Sequence, residues 1–413
     1  MLKEQPSNYT YALALLSTLF FMWGFITVLN DILIPHLKGL FALNYTQTML
    51  IQFCFFGAYF ITSIPAGAII SRIGYKRGIV LGLSVTGVGA LLFFPASIII
   101  SYGFFLAALF VLASGITILQ VAANPYVAIL GPVETASSRL NLTQAINSLG
   151  TTIAPYFGSM LILESADLHR SPAEEAASVQ GPYIGIALLL GVIAVLIALS
   201  KLPSINDESL EKYHDTSHKG KKSAWQYRHL VLGAIAIFLY VGGEVTIGSF
   251  MVNYLMEARI GNLAESDAGK YVSLYWGGAM VGRFIGAAIL QKIKPQLVLT
   301  ACSVAAIILI LISTNTYGPV AMYSIIAVGL FNSIMFANIF TMSMEGLGKF
   351  TGQGSGILCM AIVGGAIVPL LTGILADSIG LQKALMVTVL CYGYIFYFGN
   401  SGYRREKEMI NDK

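Results

Sequence analysis

Three charged residues, Asp31, Glu244 and Arg283, lie inside long apolar stretches of this sequence. A charge placed at the centre of a bilayer costs roughly 2.5 kcal/mol or more, so such side chains usually face a polar cavity and carry function. Asp31 and Glu244 have no cation close to them along the chain. A carboxyl group in a low-dielectric cavity can take up and release a proton as its access to water alternates. These two are therefore the candidates for proton coupling, and Arg283 is expected as a structural charge tying its segment to a neighbour. The same stretches hold the amides Asn30, Gln52, Gln120, Asn124, Gln144, Asn147 and Asn338, and the indoles Trp23 and Trp276. An amide both donates and accepts hydrogen bonds, and an aromatic ring offers a flat apolar face. Together with Glu244 these groups suit a polyhydroxylated ligand. Taken singly, each amide could equally serve as interhelical hydrogen bonding, worth about 0.6 kcal/mol, and each indole as an interfacial anchor. What favours a site is their concentration in the first, fourth, seventh and tenth apolar segments, with Gln120 and Asn124 four residues apart on one helical face.

The elements that must position these groups follow from composition. Of 413 residues, 56% are hydrophobic and 11% charged, whereas soluble chains carry about 25% charged residues. The apolar residues fall in runs of about twenty, the length that crosses a hydrocarbon core about 30 Å thick. The fold expected is an all-α membrane protein with twelve transmembrane helices. Spans are read near 11–37, 48–71, 78–98, 101–130, 140–163 and 182–202, then near 229–256, 268–291, 295–314, 318–345, 354–377 and 381–400. The first run is too long for the apolar core of a signal peptide and is expected to remain as a span. The organisation follows: a six-helix half at 1–202, a polar linker at 203–228, and a second six-helix half with a short tail at 229–413. With a cytoplasmic N-terminus, eighteen Lys and Arg fall on the cytoplasmic side and five on the other. By the positive-inside rule both termini and the linker are then cytoplasmic.

The halves repeat at an offset of 214 residues. Ala123-Asn124 returns as Ala337-Asn338, and Gly150, Ile153 and Pro155 return as Gly364, Ile367 and Pro369. The same offset brings Asn30-Asp31 into register with Glu244. An even number of spans before the repeat makes the halves parallel, related about an axis normal to the membrane. Gly278, Gly282 and Gly286 form a small-residue face for close helix packing. The run Gly352-Gln353-Gly354-Ser355-Gly356 lacks the preceding strand and the lysine of a phosphate loop and reads as a close-packed helix start. Cys54, Cys302, Cys359 and Cys391 lie in apolar runs without metal-ligand spacing and read as small buried hydrophobes. A net charge of +4 without a basic stripe argues against nucleic acid. No nucleophile–base arrangement or nucleotide fingerprint appears, so neither an enzyme nor a cofactor is expected.

Several stretches resemble the major facilitator superfamily, and within it the fucose–galactose–glucose:proton symporter family. They are Asn30-Asp31-Ile32-Leu33-Ile34-Pro35, Ile64-Pro65-Ala66-Gly67, Ala122-Ala123-Asn124-Pro125-Tyr126 with Leu130-Gly131-Pro132, Arg139-Leu140-Asn141-Leu142, and Gly282-Arg283-Phe284. The superfamily's loop between spans two and three resembles Gly67 to Arg77, with Ser71 where an Asp is usual. The resemblance implies that helices one, four, seven and ten line a central sugar site, with alternating access by rocking of the halves. It also implies that Asp31 matches the span-one carboxylate linked to proton transfer. The L-fucose branch carries a second carboxylate where this chain has Gln120, and an amide where it has Glu244. That exchange resembles the glucose/galactose branch, which includes N-acetylglucosamine and mannose carriers. The expectation is a monomeric hexose:proton symporter of a bacterial-type inner membrane, surrounded by lipid and partnered by sugar and protons. A sodium-coupled sugar carrier and a metabolite or drug exporter are the alternatives, and a sugar sensor is a further one.

Overall fold

The computed structural model describes residues 6–43, 45–158, 177, 179–200, 202–203, 205 and 221–404, with the backbone alone at 6–9, 28–36, 38–39, 45–49, 155–158 and 265–266. A helix lies over each of the twelve expected segments. In order they are α1 (Pro6–Leu40), α2 (Tyr45–Ile73), α3 (Tyr75–Ile99), α4 (Tyr102–Ile129), α5 (Ala136–Gly158) and α6 (Gln180–Leu199). Then follow α7 (Arg228–Met256), α8 (Glu265–Ile289), α9 (Pro295–Asn315), α10 (Gly318–Met344), α11 (Gly348–Ile379) and α12 (Leu381–Gly402). Among the described residues eleven of these are long and apolar enough to cross a membrane. The exception is α5, whose amides and hydroxyls, from Asn141 and Gln144 to Thr152, make it the most polar of the set. Its polar side chains are largely buried in protein, which is how a helix of this composition is tolerated at membrane depth. Large apolar side chains such as Leu188, Leu199, Leu370, Ile374 and Leu390 are more than half exposed, as expected of a surface whose solvent is lipid.

The chain forms two compact units. The first comprises Met1–Leu130, Ile146–Lys219 and Gly348–Met360. Its densest packing joins α3 and α4. A Cβ at Gly82 or Gly89 would meet the backbone of Leu119 or Leu112, and one at Gly115 would meet the Thr86 backbone. Backbone proximity of this kind replaces the hydrophobic drive that lipid removes. Phe93 stacks on Tyr183 at 4.0 Å between ring centroids, bringing α6 onto α3. Lys76 donates to the carbonyls of Ala198 and Ser200 at 3.0 and 2.7 Å, capping the C-terminal end of α6 with a cation, as the helix dipole favours. The start of α11 belongs to this unit. A Cβ at Gly67 of α2 would strike the Gly352 carbonyl, one at Gly356 the Ser63 carbonyl, and Ser355 Oγ donates to the Val121 carbonyl at 2.8 Å. The glycine run at 352–356 is a packing surface.

The second unit comprises Gly131–Ala145, Gly220–Leu347 and Ala361–Lys413. Here α8 lies close against α10: a Cβ at Gly282 would meet Ser333 Oγ and the Leu330 carbonyl, and one at Gly286 the Ile334 side chain. At that level α10 is interrupted between Asn332 and Met335. The start of α5 is held by Ser138 Oγ on the Ala287 carbonyl at 2.6 Å and by Ser137 with Thr341 at 2.5 Å. The 214-residue repeat is visible as packing within each unit. Gly150 of α5 faces the Phe21 carbonyl of α1, and Gly364 of α11 faces the Phe238 carbonyl of α7. Cys359 and Cys391 are buried as expected, whereas Cys54 and Cys302 are half-buried; all four are free thiols.

Candidate functional site

In the second unit, α7 delivers Glu244 into the packed interior one turn after Tyr240. This i, i+4 spacing lets the Tyr240 hydroxyl donate to Glu244 Oε1 at 2.8 Å. Arg283 of α8 places Nη2 3.9 Å from the same oxygen, with both side chains mostly buried, while its Nε donates to the Ser333 carbonyl at 3.3 Å. Tyr275 of α8 donates to the main-chain carbonyl of Glu244 at 3.3 Å and accepts from Asn332 Nδ2 at 2.6 Å. The sequence shows no cation near Glu244, because its counterion lies thirty-nine residues away and only helix packing brings them together. The site also includes Ser333 and Tyr392, neither of which stood out in the sequence. The buried Tyr392 hydroxyl and Asn332 Oδ1 have no hydrogen-bond partner among the described residues. One Glu, one Arg and three tyrosine hydroxyls in a buried setting form an array that can exchange a proton or grip ligand hydroxyls.

Trp276 is adjacent. The residue is 41% exposed, and its ring meets Tyr275 edge-on at 5.1 Å and lies over Gly248, where a Cβ would touch it. The glycine thus leaves room for the indole against α7. Also in this unit, Asn338 of α10 accepts from Asn141 Nδ2 at 3.1 Å, and Gln144 is buried.

In the first unit, Gln120 of α4 donates to the Tyr59 hydroxyl of α2. Trp23 is buried and tilted against Phe20 at 5.2 Å. Asn147 of α5 donates to the Phe20 carbonyl at 2.8 Å and packs on Gly24, which ties it to α1. Gln52 is half-buried on α2. Asn30 and Asp31 fall on α1, but their side chains lie outside the described residues.

Asn124 is the outlier. It is fully buried, and neither Nδ2 nor Oδ1 has a hydrogen-bond partner among the described residues. Its repeat mate Asn338 has Asn141 as a donor, and 141 plus 214 is 355. Position 355 is a serine, too short to play that part, and its hydroxyl bonds the Val121 carbonyl instead. A buried amide left unpaired costs roughly 1–3 kcal/mol. Asn124→Leu is therefore expected to raise stability by about that amount, seen as a higher melting midpoint in detergent, while weakening ligand binding about tenfold or more. A lower midpoint would show that Asn124 serves as helix-to-helix hydrogen bonding.

The Major Facilitator Superfamily model matches residues 13–362. The glucose/galactose transporter of Brucella abortus is 58% identical over 97% of this chain and 96% of its own length. The L-fucose-proton symporter of Escherichia coli is 36% identical over 95% of this chain and 93% of its own. A crystal structure of the Escherichia coli fucose:proton symporter superposes with a TM-score of 0.86 at 33% identity, covering 96% of this chain and 99% of that one. By its apolar helices, this architecture and these relatives, the chain is an integral membrane transporter, not an enzyme, and it belongs to the Major Facilitator Superfamily.

Proposed function

We propose that this protein imports a hexose-type sugar together with protons by alternating access, with glucose or galactose as first candidates and N-acetylglucosamine or mannose next. The observation that carries the reading is Glu244, a buried carboxylate among hydroxyls and one loosely placed arginine. Carboxylates and amides in such surroundings recognise hydroxyl groups by charge-assisted and neutral hydrogen bonds. Gln120, Asn124 and Asn147 supply amides in the first unit, and Trp23 or Trp276 a ring face. Asp31, in repeat register with Glu244, is the proton carrier of the proposal. The 58% identity to a glucose/galactose transporter supports the sugar class, and the fucose-proton symporter relative supports the coupling ion.

The excess of Lys and Arg in alternate loops supports a bacterial-type inner-membrane placement with both termini cytoplasmic. The functional unit of this proposal is a monomer, with halves 1–202 and 229–413 joined by a linker at 203–228. The test is sugar uptake by membrane vesicles with external pH recorded. The medium should turn alkaline on adding the transported sugar, and Asp31→Asn should abolish uphill uptake while sparing counterflow. Unchanged uphill transport in that variant removes Asp31 from the coupling step. Uptake that needs sodium at fixed pH replaces proton coupling with sodium coupling. A panel of glucose, galactose, mannose, N-acetylglucosamine and fucose identifies the substrate.

A further inference from the structure

The approach to α7 is a short folded turn that holds charge outward. Ala224–Gln226 form a 3₁₀ turn, seated by the buried Ala224 and Tyr227. Lys222 N donates to Gln226 Oε1 at 2.7 Å. Lys221 Nζ donates to the Gln226 carbonyl at 3.0 Å and lies 4.2 Å from the centre of the Tyr227 ring. The turn thus engages the main chain of Lys222 and leaves its side chain exposed, with Trp225 and Arg228 exposed close by in the chain. The neighbouring helix end is that of α12, where the Tyr397 hydroxyl accepts from Arg228 Nη2 at 3.5 Å. One turn deeper, Tyr394 donates to the Leu232 carbonyl at 3.3 Å, so α7 and α12 run side by side. Ile235 lies seven residues from Arg228, and Leu390 seven from Tyr397. Seven residues make about two turns, about 10 Å of helix, and return to the same face. The exposed Ile235 and Leu390 therefore lie beneath the exposed Arg228 and Tyr397, at one depth on adjacent helices.

We propose that this edge of α7 and α12 is a binding site for one anionic glycerophospholipid. The headgroup lies against Lys222 and within the field of Arg228, the Trp225 indole sits at the level of the glycerol esters, and the acyl chains descend over Ile235 and Leu390. A tryptophan exposed at a helix end suits the interfacial region, where its ring is in apolar surroundings and its N–H is wet. Charge supplies the selection. Among the described residues, the charges at this end of the two helices are the cations Lys221, Lys222, Arg228 and Arg404 and the carboxylate of Glu345, whose main-chain carbonyl lies 3.0 Å from His229 Nε2. Each cation close to the surface is worth about a fivefold preference for anionic lipid. Arg228 keeps its bond to Tyr397 and acts through its charge, so Lys222 makes the direct contact. A second copy of the chain is disfavoured as the occupant, because a two-fold contact here sets the same cations against one another. The site is independent of the cargo carried.

The test uses the full-length protein in phosphatidylcholine liposomes, with brominated acyl chains as fluorescence quenchers. The signal lost in Trp225→Phe isolates Trp225 from Trp23 and Trp276. Brominated phosphatidylglycerol and brominated phosphatidylcholine are titrated in separately. Quenching of Trp225 is expected at about tenfold lower mole fraction with phosphatidylglycerol, and the other two tryptophans should show no such preference. Lys222→Gln should lower the preference about fivefold. Its turn bond is made by the main chain, so the fold survives. Lys383→Gln, at the opposite end of α12, should leave the preference unchanged. A wild-type preference within twofold overturns the proposal, as does one that Lys222→Gln leaves intact. A preference reported equally by Trp23 and Trp276 also overturns it, because the lipid is then drawn by the general surface potential. Should Trp225→Phe fail to fold, phosphatidylglycerol retained through purification is compared by mass spectrometry in wild type and Lys222→Gln. Equal retention in the two overturns the proposal, and a severalfold loss in Lys222→Gln supports it.

Discussion

Glu244→Gln is expected to weaken glucose binding ten- to a hundredfold and to collapse uphill uptake. A hydrogen bond to a charged group contributes roughly 1.5–3 kcal/mol, and each 1.4 kcal/mol is about a factor of ten in affinity. The substitution is close to isosteric, and the Gln oxygen still accepts from Tyr240 at the position where Oε1 now does. Folding should therefore survive. What disappears is the negative charge that faces Arg283 and strengthens every hydroxyl bond made to the carboxylate. The new amide also brings two donors into a pocket already supplied by the Tyr240 hydroxyl and the Arg283 guanidinium. Equilibrium binding and uptake against a gradient, measured on the same preparation, check both parts. Binding within twofold of wild type would move the sugar away from Glu244 and leave the carboxylate a structural role.

The second large effect is on the fold. Gly364→Val should destabilise the protein by about 3 kcal/mol, and Gly150→Val by a similar amount. Overpacking a well-filled interior costs typically about 1–3 kcal/mol, and more where the obstacle cannot move. At Gly364 the obstacle is the backbone of Phe238, including its carbonyl, and at Gly150 it is the Phe21 carbonyl with the Phe25 nitrogen. None of these is the end of a flexible side chain, so relief requires α11 to withdraw from α7, or α5 from α1. The parallel between the two positions sharpens the experiment. If the 214-residue repeat reflects one packing solution used twice, the two variants should lower the melting midpoint in detergent to a comparable degree. A midpoint unchanged in both would mean that the helices separate at little cost.

Much of the fold could be read directly from the chain. A lipid solvent demands about twenty apolar residues per crossing, and that requirement writes itself into composition and run length without reference to any contact. Even the helix that escapes a hydropathy criterion, α5, is flagged by its own polarity, since Asn141, Thr143, Gln144 and Asn147 in a span imply burial against protein. Intramembrane charges were equally legible, because their cost is a property of the residue and its depth. Asp31, Glu244 and Arg283 stand out for that reason alone.

Partnerships were not legible. Asn124 and Asn338 occupy the same place in the repeat, yet one amide has a donor from Asn141 and the other has none among the described residues, and the difference lies in a serine 231 residues further along than Asn124. Tyr392 gave no signal, since a tyrosine in an apolar run ordinarily marks an interface and only the packing of α12 buries its hydroxyl. Trp276, proposed from sequence as a stacking surface, is placed edge-on to Tyr275 by the shape of α8 and by the gap at Gly248.

Arg283 illustrates the division. Its residue type and its depth were enough to mark it as a buried charge with a job to do. That it reaches Glu244 on one side and the broken step of α10 on the other was decided by tertiary structure. Helix composition is set by the solvent each span must cross, a local condition that the chain states residue by residue. Which charge meets which carbonyl depends on helix register and on interruptions such as that at Ser333, and these emerge only when the helices have packed.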